Sequence, residues 1–237
     1  MKNLLLLSAI AAASISSASA DTLAQWTFET PTSTNNIIGL GLTPSSTQTG
    51  VGADIGTGIA NSFHATAATA WSIPAGNGSG HSWSGNNWSV NDYFQFAVPT
   101  LGYTGVSVSW DQNGSSTGPR DFQLQYSLTG VDGSFTSALS YSIPTNVTWS
   151  AGSPNPLGNT SFSVDLSAVT SLNNQSQIYL RVVDSSTTSI NGGTVGVGGT
   201  GRVDNFTVSA SPVPEPAAAA FSILGGLATL FAIRRRR

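Results

Sequence analysis

Phe122-Gln123-Leu124-Gln125-Tyr126-Ser127-Leu128 alternates large apolar and polar side chains without a break. A period of two places one set of side chains on a core and the other in water, the signature of a half-buried strand. The same rhythm recurs on both sides of it. Phe94, Phe96 and Val98 alternate with Gln95 and Ala97, and Val106, Val108 and Trp110 with Ser107 and Ser109. Downstream come Phe162, Val164 and Leu166, then Ile178, Leu180 and Val182, then Phe206, Val208 and Ala210. Gly, Pro, Asn, Asp and Ser separate these runs, as at Asn113-Gly114 and Asp132-Gly133, which read as turns. No stretch between the chain ends holds a 3.6-residue period, although Leu166 to Leu172 has room for one helical turn.

Short connections make such strands antiparallel. An all-β fold follows, an antiparallel β-sandwich of jelly-roll-like form. A first strand from Leu23 to Phe28 and a last one from Arg202 to Ala210 bracket it, and end strands that pair in one sheet are common in jelly rolls. Residues 30–92 read differently: Gly, Thr, Ser and Ala dominate, punctuated by Phe63, Trp71, Trp83 and Trp88. Residues 192–201 read as a long exposed loop. The Trp26-Thr27-Phe28 opening, the run from Phe122 to Ser127 and the closing Val203-Asp204-Asn205-Phe206 together resemble the galactose-binding-like jelly rolls of carbohydrate-binding modules.

The chain ends read as targeting signals. Lys2, the apolar stretches Leu4–Leu7 and Ile10–Ala13, and Ala18-Ser19-Ala20 have the layout of a signal peptide over residues 1–20 that signal peptidase would remove before Asp21. A β-sandwich domain over 21–211 precedes a tail over 212–237. In the tail, Val213-Pro214-Glu215-Pro216 leads into an apolar run of 17 residues, 217–233, and then Arg234, Arg235, Arg236 and Arg237. As a helix the run would reach roughly 25 Å, near the lower limit for a bilayer core, so it is expected to be a transmembrane helix. The arginines belong on the cytoplasmic side. Pro-Glu-Pro, an apolar segment and a terminal arginine cluster in that order resemble the PEP-CTERM sorting signal. The resemblance implies an exosortase-like membrane protease as partner and a Gram-negative host. It also implies passage through the inner membrane to the cell surface or to an extracellular, biofilm-type matrix. A permanent membrane anchor is the alternative.

Composition limits what the domain can do. There is no cysteine, hence no disulfide, thiolate nucleophile or thiolate metal site. Between residues 21 and 212 three arginines (Arg120, Arg181, Arg202) face ten carboxylates, a net charge of −7 with no lysine. Nucleic acid is excluded as a partner, since displacing counterions from phosphates needs basic charge. Gly114-Ser115-Ser116-Thr117-Gly118 matches the Gly-x-Ser-x-Gly pattern by letters. However, the nucleophile elbow needs a helix after it and a histidine further on, and here Pro119 and a strand follow. No catalytic residue is assigned. A glycosidase needs only two carboxylates across a cleft, which leaves a secreted glycoside hydrolase open as an alternative.

Two constellations are candidates for binding. His81, Trp83, Trp88 and Tyr93 lie in a polar, glycine-bearing segment where aromatic faces could stack on sugar rings beside hydrogen-bonding groups. The same rings would serve equally as caps of the core. Asp204, in phase with Phe206 and Val208, puts a carboxylate on the core-facing side, where it needs a cation or donors. With Glu29 just after the first strand, the jelly-roll resemblance implies a structural calcium between Glu29 and Asp204. Donors at the strand start, or Arg120 or Arg202, would satisfy Asp204 as well. The expected function is that of an exported structural or glycan-associated surface protein. Extracellular polysaccharide is its candidate partner, and a carbohydrate-binding module with an aromatic site is the alternative.

Overall fold

The computed structural model describes residues 19–29 and 46–213. The expected signal peptide up to residue 18, Pro214-Glu215-Pro216, the apolar run 217–233 and Arg234–Arg237 lie outside the described residues. Val213 is described, exposed, and donates its backbone N–H to the Gly102 carbonyl at 2.8 Å. No helix among the described residues is long and apolar enough to cross a membrane.

The strands are β1 (Asp21–Trp26), β2 (Thr47–Gly52), β3 (Ile55–Gly56), β4 (Ile59–Phe63), β5 (Trp71–Ser72), β6 (Trp83–Gly85) and β7 (Tyr93–Val98). There follow β8 (Tyr103–Gly114), β9 (Asp121–Ser127), β10 (Thr136–Ser142), β11 (Ser161–Asp165), β12 (Ile178–Asp184) and β13 (Gly201–Pro212). A single 3-10 turn, Thr170–Leu172, falls where one helical turn was expected. A seven-stranded sheet runs β11-β8-β13-β1-β3, with β6 and then β5 added along the first residues of β13. A six-stranded sheet runs β10-β9-β12-β7-β4-β2. Every ladder is antiparallel. First and last strands pair as expected, with Trp26 opposite Phe206.

The alternating side chains meet between the sheets. Phe96 of β7 and Phe206 of β13 stack with ring centroids 3.6 Å apart and planes within 4°. Trp26 stands edge-on to both, at 5.0 and 6.1 Å, and its indole N–H reaches the Val51 carbonyl at 3.0 Å. A second aromatic group joins Trp71, Trp83, Trp88, Phe94 and Phe122 with His64. Edge-to-face contacts of this kind suit the aromatic quadrupole and add to the area the rings bury.

Three expectations need correction. Residues 46–92, set apart by their Gly, Thr, Ser and Ala content, hold β2 to β6, and β10 is a further strand that the sequence did not announce. These strands are short, and polar or glycine residues interrupt their apolar sets, so no alternation announces them. Asn113-Gly114 is not a turn but the end of β8, paired with Arg202 and Gly201; the chain reverses after it. Asp204 is buried, yet not toward the core. Its ladder partner is Asp111, next to core-facing Trp110, so Asp204 faces outward. The register of β13 slips between Asp204 and Thr207, where Asn205 adopts φ 51°. A bulge with one extra residue reverses the phase on its far side, which is why counting by twos from Phe206 misplaces Asp204.

Several ionisable groups are buried. Asp92 and Asp204 are pushed up to about 6, and Asp184 to about 7, by removal from water. His64, between Trp71 and Trp88, is held down to about 4 by the same effect. Asp184 Oδ2 and His64 Nε2 have no hydrogen-bond partner among the described residues.

Two outcomes are expected. Leu124 is wholly buried in mid-β9, so Leu124→Ala should lower stability by about 2–5 kcal/mol in denaturant titration, while Gln125→Ala on the opposite face should be near neutral. A small effect at Leu124 would overturn the strand phase. For pH, each raised carboxylate keeps its proton in the fold above the unfolded pKa near 3.9. The stability this confers is present at low pH and is lost as pH rises through the folded pKa. His64 acts oppositely, favouring the fold above 6.5 and losing that contribution as pH falls through about 4. Three carboxylates outweigh one histidine, so thermal melting should come at a higher temperature at about pH 5 than at about pH 8. Asp184→Asn should shrink the difference. Equal melting at both values would count against the burial of these groups.

Candidate functional site

Ladder register fixes what the six-stranded sheet shows to solvent. One rung carries Phe63, Tyr93, Val183 and Gln123; the next carries Asn61, Gln95, Arg181 and Gln125. Each alternates with a core residue along its own strand, so the outer face is set by the same pattern that builds the core.

Arg181 organises this face. It is only 8% exposed, with its guanidinium between the Tyr93 and Phe135 rings at 3.8 Å from each centroid. Its Nε donates to Gln95 Oε1 at 2.8 Å, one terminal nitrogen donates to Asp132 Oδ1 at 2.8 Å, and the other donates to the Tyr93 hydroxyl at 3.1 Å. Aromatic faces on both sides and a carboxylate in plane are the arrangement a planar guanidinium favours. Burial raises the Tyr93 phenol above its usual pKa, and the nearby Arg181 charge opposes that shift. The cation is fully engaged and serves to hold Tyr93 in position.

The β9–β10 connection folds over one half of the face. Gly130 lies on the Tyr179 ring at φ 72°, and an added Cβ there would come within 2.8 Å of it, so only glycine fits. Phe63, 40% exposed, stacks beside Tyr93 at 5.6 Å between centroids and 26° between planes. Asn61 accepts from the Gly50 N–H and Gln95 accepts from Arg181, leaving both side-chain amino groups without an acceptor among the described residues. The half-exposed Phe63 ring, stacked on a Tyr93 that Arg181 holds from beside it, and the two amide donors alongside form an amphipathic platform.

The four aromatic-segment residues singled out from sequence are not brought together. Tyr93 belongs to the platform. Trp83 has no exposed surface and Trp88 is buried, its indole N–H bound to the Gly85 carbonyl at 2.8 Å, so neither ring can receive a sugar. Both are core residues. His81 lies beside the seven-stranded sheet, its backbone N–H on Glu29 Oε1 at 2.6 Å. Phe63 was missed as a partner for Tyr93, although Ile59, Asn61 and Phe63 share a period of two. Arg181 was legible as the cation between Leu180 and Val182.

Glu29 and Asp204 lie against opposite ends of one loop, near Gly80 and Gly76. Asp204 Oδ2 accepts from the Asn77 N–H at 2.8 Å, the Ser79 hydroxyl at 2.7 Å and the Asn205 amide at 3.3 Å; Oδ1 accepts from the Asn205 N–H at 2.8 Å. Donor hydrogens surround this carboxylate, and a cation needs lone pairs there instead. The residues do not fit the calcium expected between Glu29 and Asp204. Neither Arg120 nor Arg202 pairs with Asp204; Arg120 pairs with Asp121. No group of three or more His, Asp or Glu among the described residues is placed to hold a metal.

A hydrolytic centre finds little support in the geometry. Asp92, Asp184 and Asp204 are buried beneath loops rather than set across a cleft. A hollow of about 340 Å³ beside Tyr126, Leu128 and Thr136 is lined without a carboxylate or histidine. Ser116, the serine of the Gly-x-Ser-x-Gly match, lies in the loop after β8, its backbone carbonyl accepting the Asn191 N–H at 2.9 Å.

No protein-family model matches the sequence, and no curated protein matches it. Among solved structures, the chain is similar to the CBM22-1 xylan-binding domain of Paenibacillus barcinonensis Xyn10C. That match has 9% identity and a TM-score of 0.41 and covers 84% of this chain and all of that one. It is also similar to the Clostridium thermocellum endo-1,4-β-D-xylanase Xyn10B CBM22-1–GH10 modules, crystallised with xylohexaose, at 12% identity and a TM-score of 0.43 over 82% of this chain and 29% of that one. An adhesin domain of Porphyromonas gingivalis Lys-gingipain matches at 16% identity and a TM-score of 0.39, over 82% of this chain and 99% of that one. These likenesses assign neither ligand nor site to this chain.

Proposed function

We propose that the chain is an exported surface or matrix protein whose β-sandwich holds an uncharged extracellular polysaccharide on the outer face of the six-stranded sheet. The observation that carries this reading is the exposed Phe63 ring stacked on Tyr93, with the amino groups of Asn61 and Gln95 beside it that have no acceptor among the described residues. The apolar faces of a pyranose stack on rings, and its hydroxyls need donors and acceptors at the rim, which the two amides supply. The one cation of the face is already neutralised by Asp132, so the platform makes no demand for a charged ligand.

Export and sorting rest on the two ends of the sequence. Residues 1–20 act as a signal peptide, 21–211 as the binding domain, and 212–237 as a PEP-CTERM-like signal. Signal peptidase and an exosortase-like protease act in turn, leaving the domain at the surface of a Gram-negative cell.

Affinity electrophoresis of the purified protein in gels containing neutral polysaccharides such as xylan, mannan or β-glucan should show retardation by at least one of them. Tyr93→Ala and Phe63→Ala should each weaken it by about tenfold or more, the order expected for losing a stacked ring. Tyr103→Ala, on the other sheet, should leave it unchanged. Wild-type mobility equal to that of both platform variants in every gel would refute the reading. For the tail, mass spectrometry of surface-released protein should find no peptide from Phe221 to Arg237, and recovery of that segment would establish a permanent anchor instead.

A further inference from the structure

Arg202 stands apart from the other two arginines of the domain. Arg120 pairs with Asp121 at 2.9 Å and Arg181 with Asp132 at 2.8 Å. Arg202 has no carboxylate within ion-pair distance among the described residues, and its buried Nε–H has no acceptor. The guanidinium lies over the buried indole of Trp149, 5.6 Å from the ring centroid. Trp149 is itself pinned by its indole N–H on Thr160 Oγ1 at 3.3 Å. A ring face steadies a cation but supplies no lone pair for its N–H groups. Burial of an unpaired guanidinium is unfavourable and lowers its pKa, yet it stays charged at neutral pH.

The surroundings are polar and give Arg202 nothing to bond. On β13 it faces outward from the seven-stranded sheet, with Asn113 on one side and Ser84, then Ser72, on the other. The Asn113 side chain is committed to Val147 and Gly114. Asp204, two residues on, is committed to donors from Asn77, Ser79 and Asn205. What remains is the outer end of a guanidinium on a rigid strand, its two terminal nitrogens without an acceptor among the described residues, with the exposed Ser72 hydroxyl along one flank. A planar two-oxygen anion would complete it. The net charge of −7 over residues 21–212 opposes a multiply charged phosphate more than a single carboxylate, so of the two the carboxylate is the better fit.

We propose that Arg202, backed by Trp149 and flanked by Ser84 and Ser72, is a second binding site, on the sheet opposite the Tyr93 platform, for the carboxylate of a uronic-acid sugar. The choice of a sugar as bearer rests on the proposed function; the site does not depend on the Tyr93 platform.

The test titrates the purified full chain with sodium galacturonate, its methyl ester, and inorganic phosphate, following the Arg202 Nε–H and Trp149 indole N–H signals in nitrogen–proton correlation spectra. Galacturonate should shift both signals saturably, the ester should not, and phosphate should bind about tenfold more weakly or worse. Added salt should weaken the galacturonate effect. Arg202→Gln should abolish the Trp149 shift, and Arg202→Lys should keep a weakened response, since it holds the charge without the fork. Unchanged neutral-glycan retardation by Arg202→Gln would show that the variant is folded and that the two sites are separate. The proposal is overturned if galacturonate and its ester act alike, if phosphate binds as well as galacturonate, or if a folded Arg202→Gln still responds. Failure of the Tyr93 and Phe63 variants to alter neutral-glycan binding would overturn only the reading of the other sheet.

Discussion

The two sheets are held in register by one contact between rings. Phe96 and Phe206 come from the centre of each sheet and stack 3.6 Å apart. Trp26 closes on both from β1, which pairs with β13. Close packing of these rings with Trp26 sets the spacing of the strands that bear them, since the interior leaves no void into which they could shift. Every outward residue is placed relative to these two. Phe96 fixes the phase of β7 and so presents Tyr93 and Gln95 to solvent. Phe206 fixes the phase of β13 up to its bulge. The outer faces are thus consequences of the core, although no core residue touches them.

The long strands were legible because their apolar sets obey a strict period of two. Phe122 and Leu124, and Phe94 and Phe96, fall into the core where alternation puts them, and the pairing of the chain ends follows from Trp26 and Phe206. What escaped did so for local reasons. The strands β2 to β6 carry Gly50, Gly52, Gly56 and Gly85 within two to six residues, and their pairing is dictated by neighbours rather than by their own pattern. Trp83 and Trp88 look like binding aromatics because serine, asparagine and glycine surround them. Those polar residues serve backbone turns while the rings turn inward. Tyr93 was found in the sequence; its partner Phe63 was not, because their adjacency exists only through the β4–β7 ladder.

Charge is scarce enough in this domain that each arginine has a readable role. Arg181 has its donors taken up on three sides and acts as a pillar for Tyr93. Arg120 shares the Asp121 carboxylate, whose pKa it holds down to about 2 together with hydroxyls from Ser142 and Ser186. Arg202 has a ring beneath it and no acceptor among the described residues. The contrast arises from position: Arg181 faces a loop that brings Asp132 and Phe135 over it, whereas the loop nearest Arg202 brings Trp149 and no carboxylate.

The bulge at Asn205 links the core to this second face. If β13 ran without it, strict alternation from Phe206 would turn Asp204 and Arg202 into the aromatic interior, and Val203 out into water. An unpaired guanidinium and a carboxylate among Trp83, Trp110 and Phe206 would be far less favourable than the left-handed backbone at one asparagine, a residue type that tolerates that region. The extra residue keeps Val203 in the core, places Asp204 beneath the loop that satisfies it, and turns Arg202 to the outer face over Trp149. A single backbone irregularity therefore decides that the two charges of this strand serve the surface instead of disrupting the core.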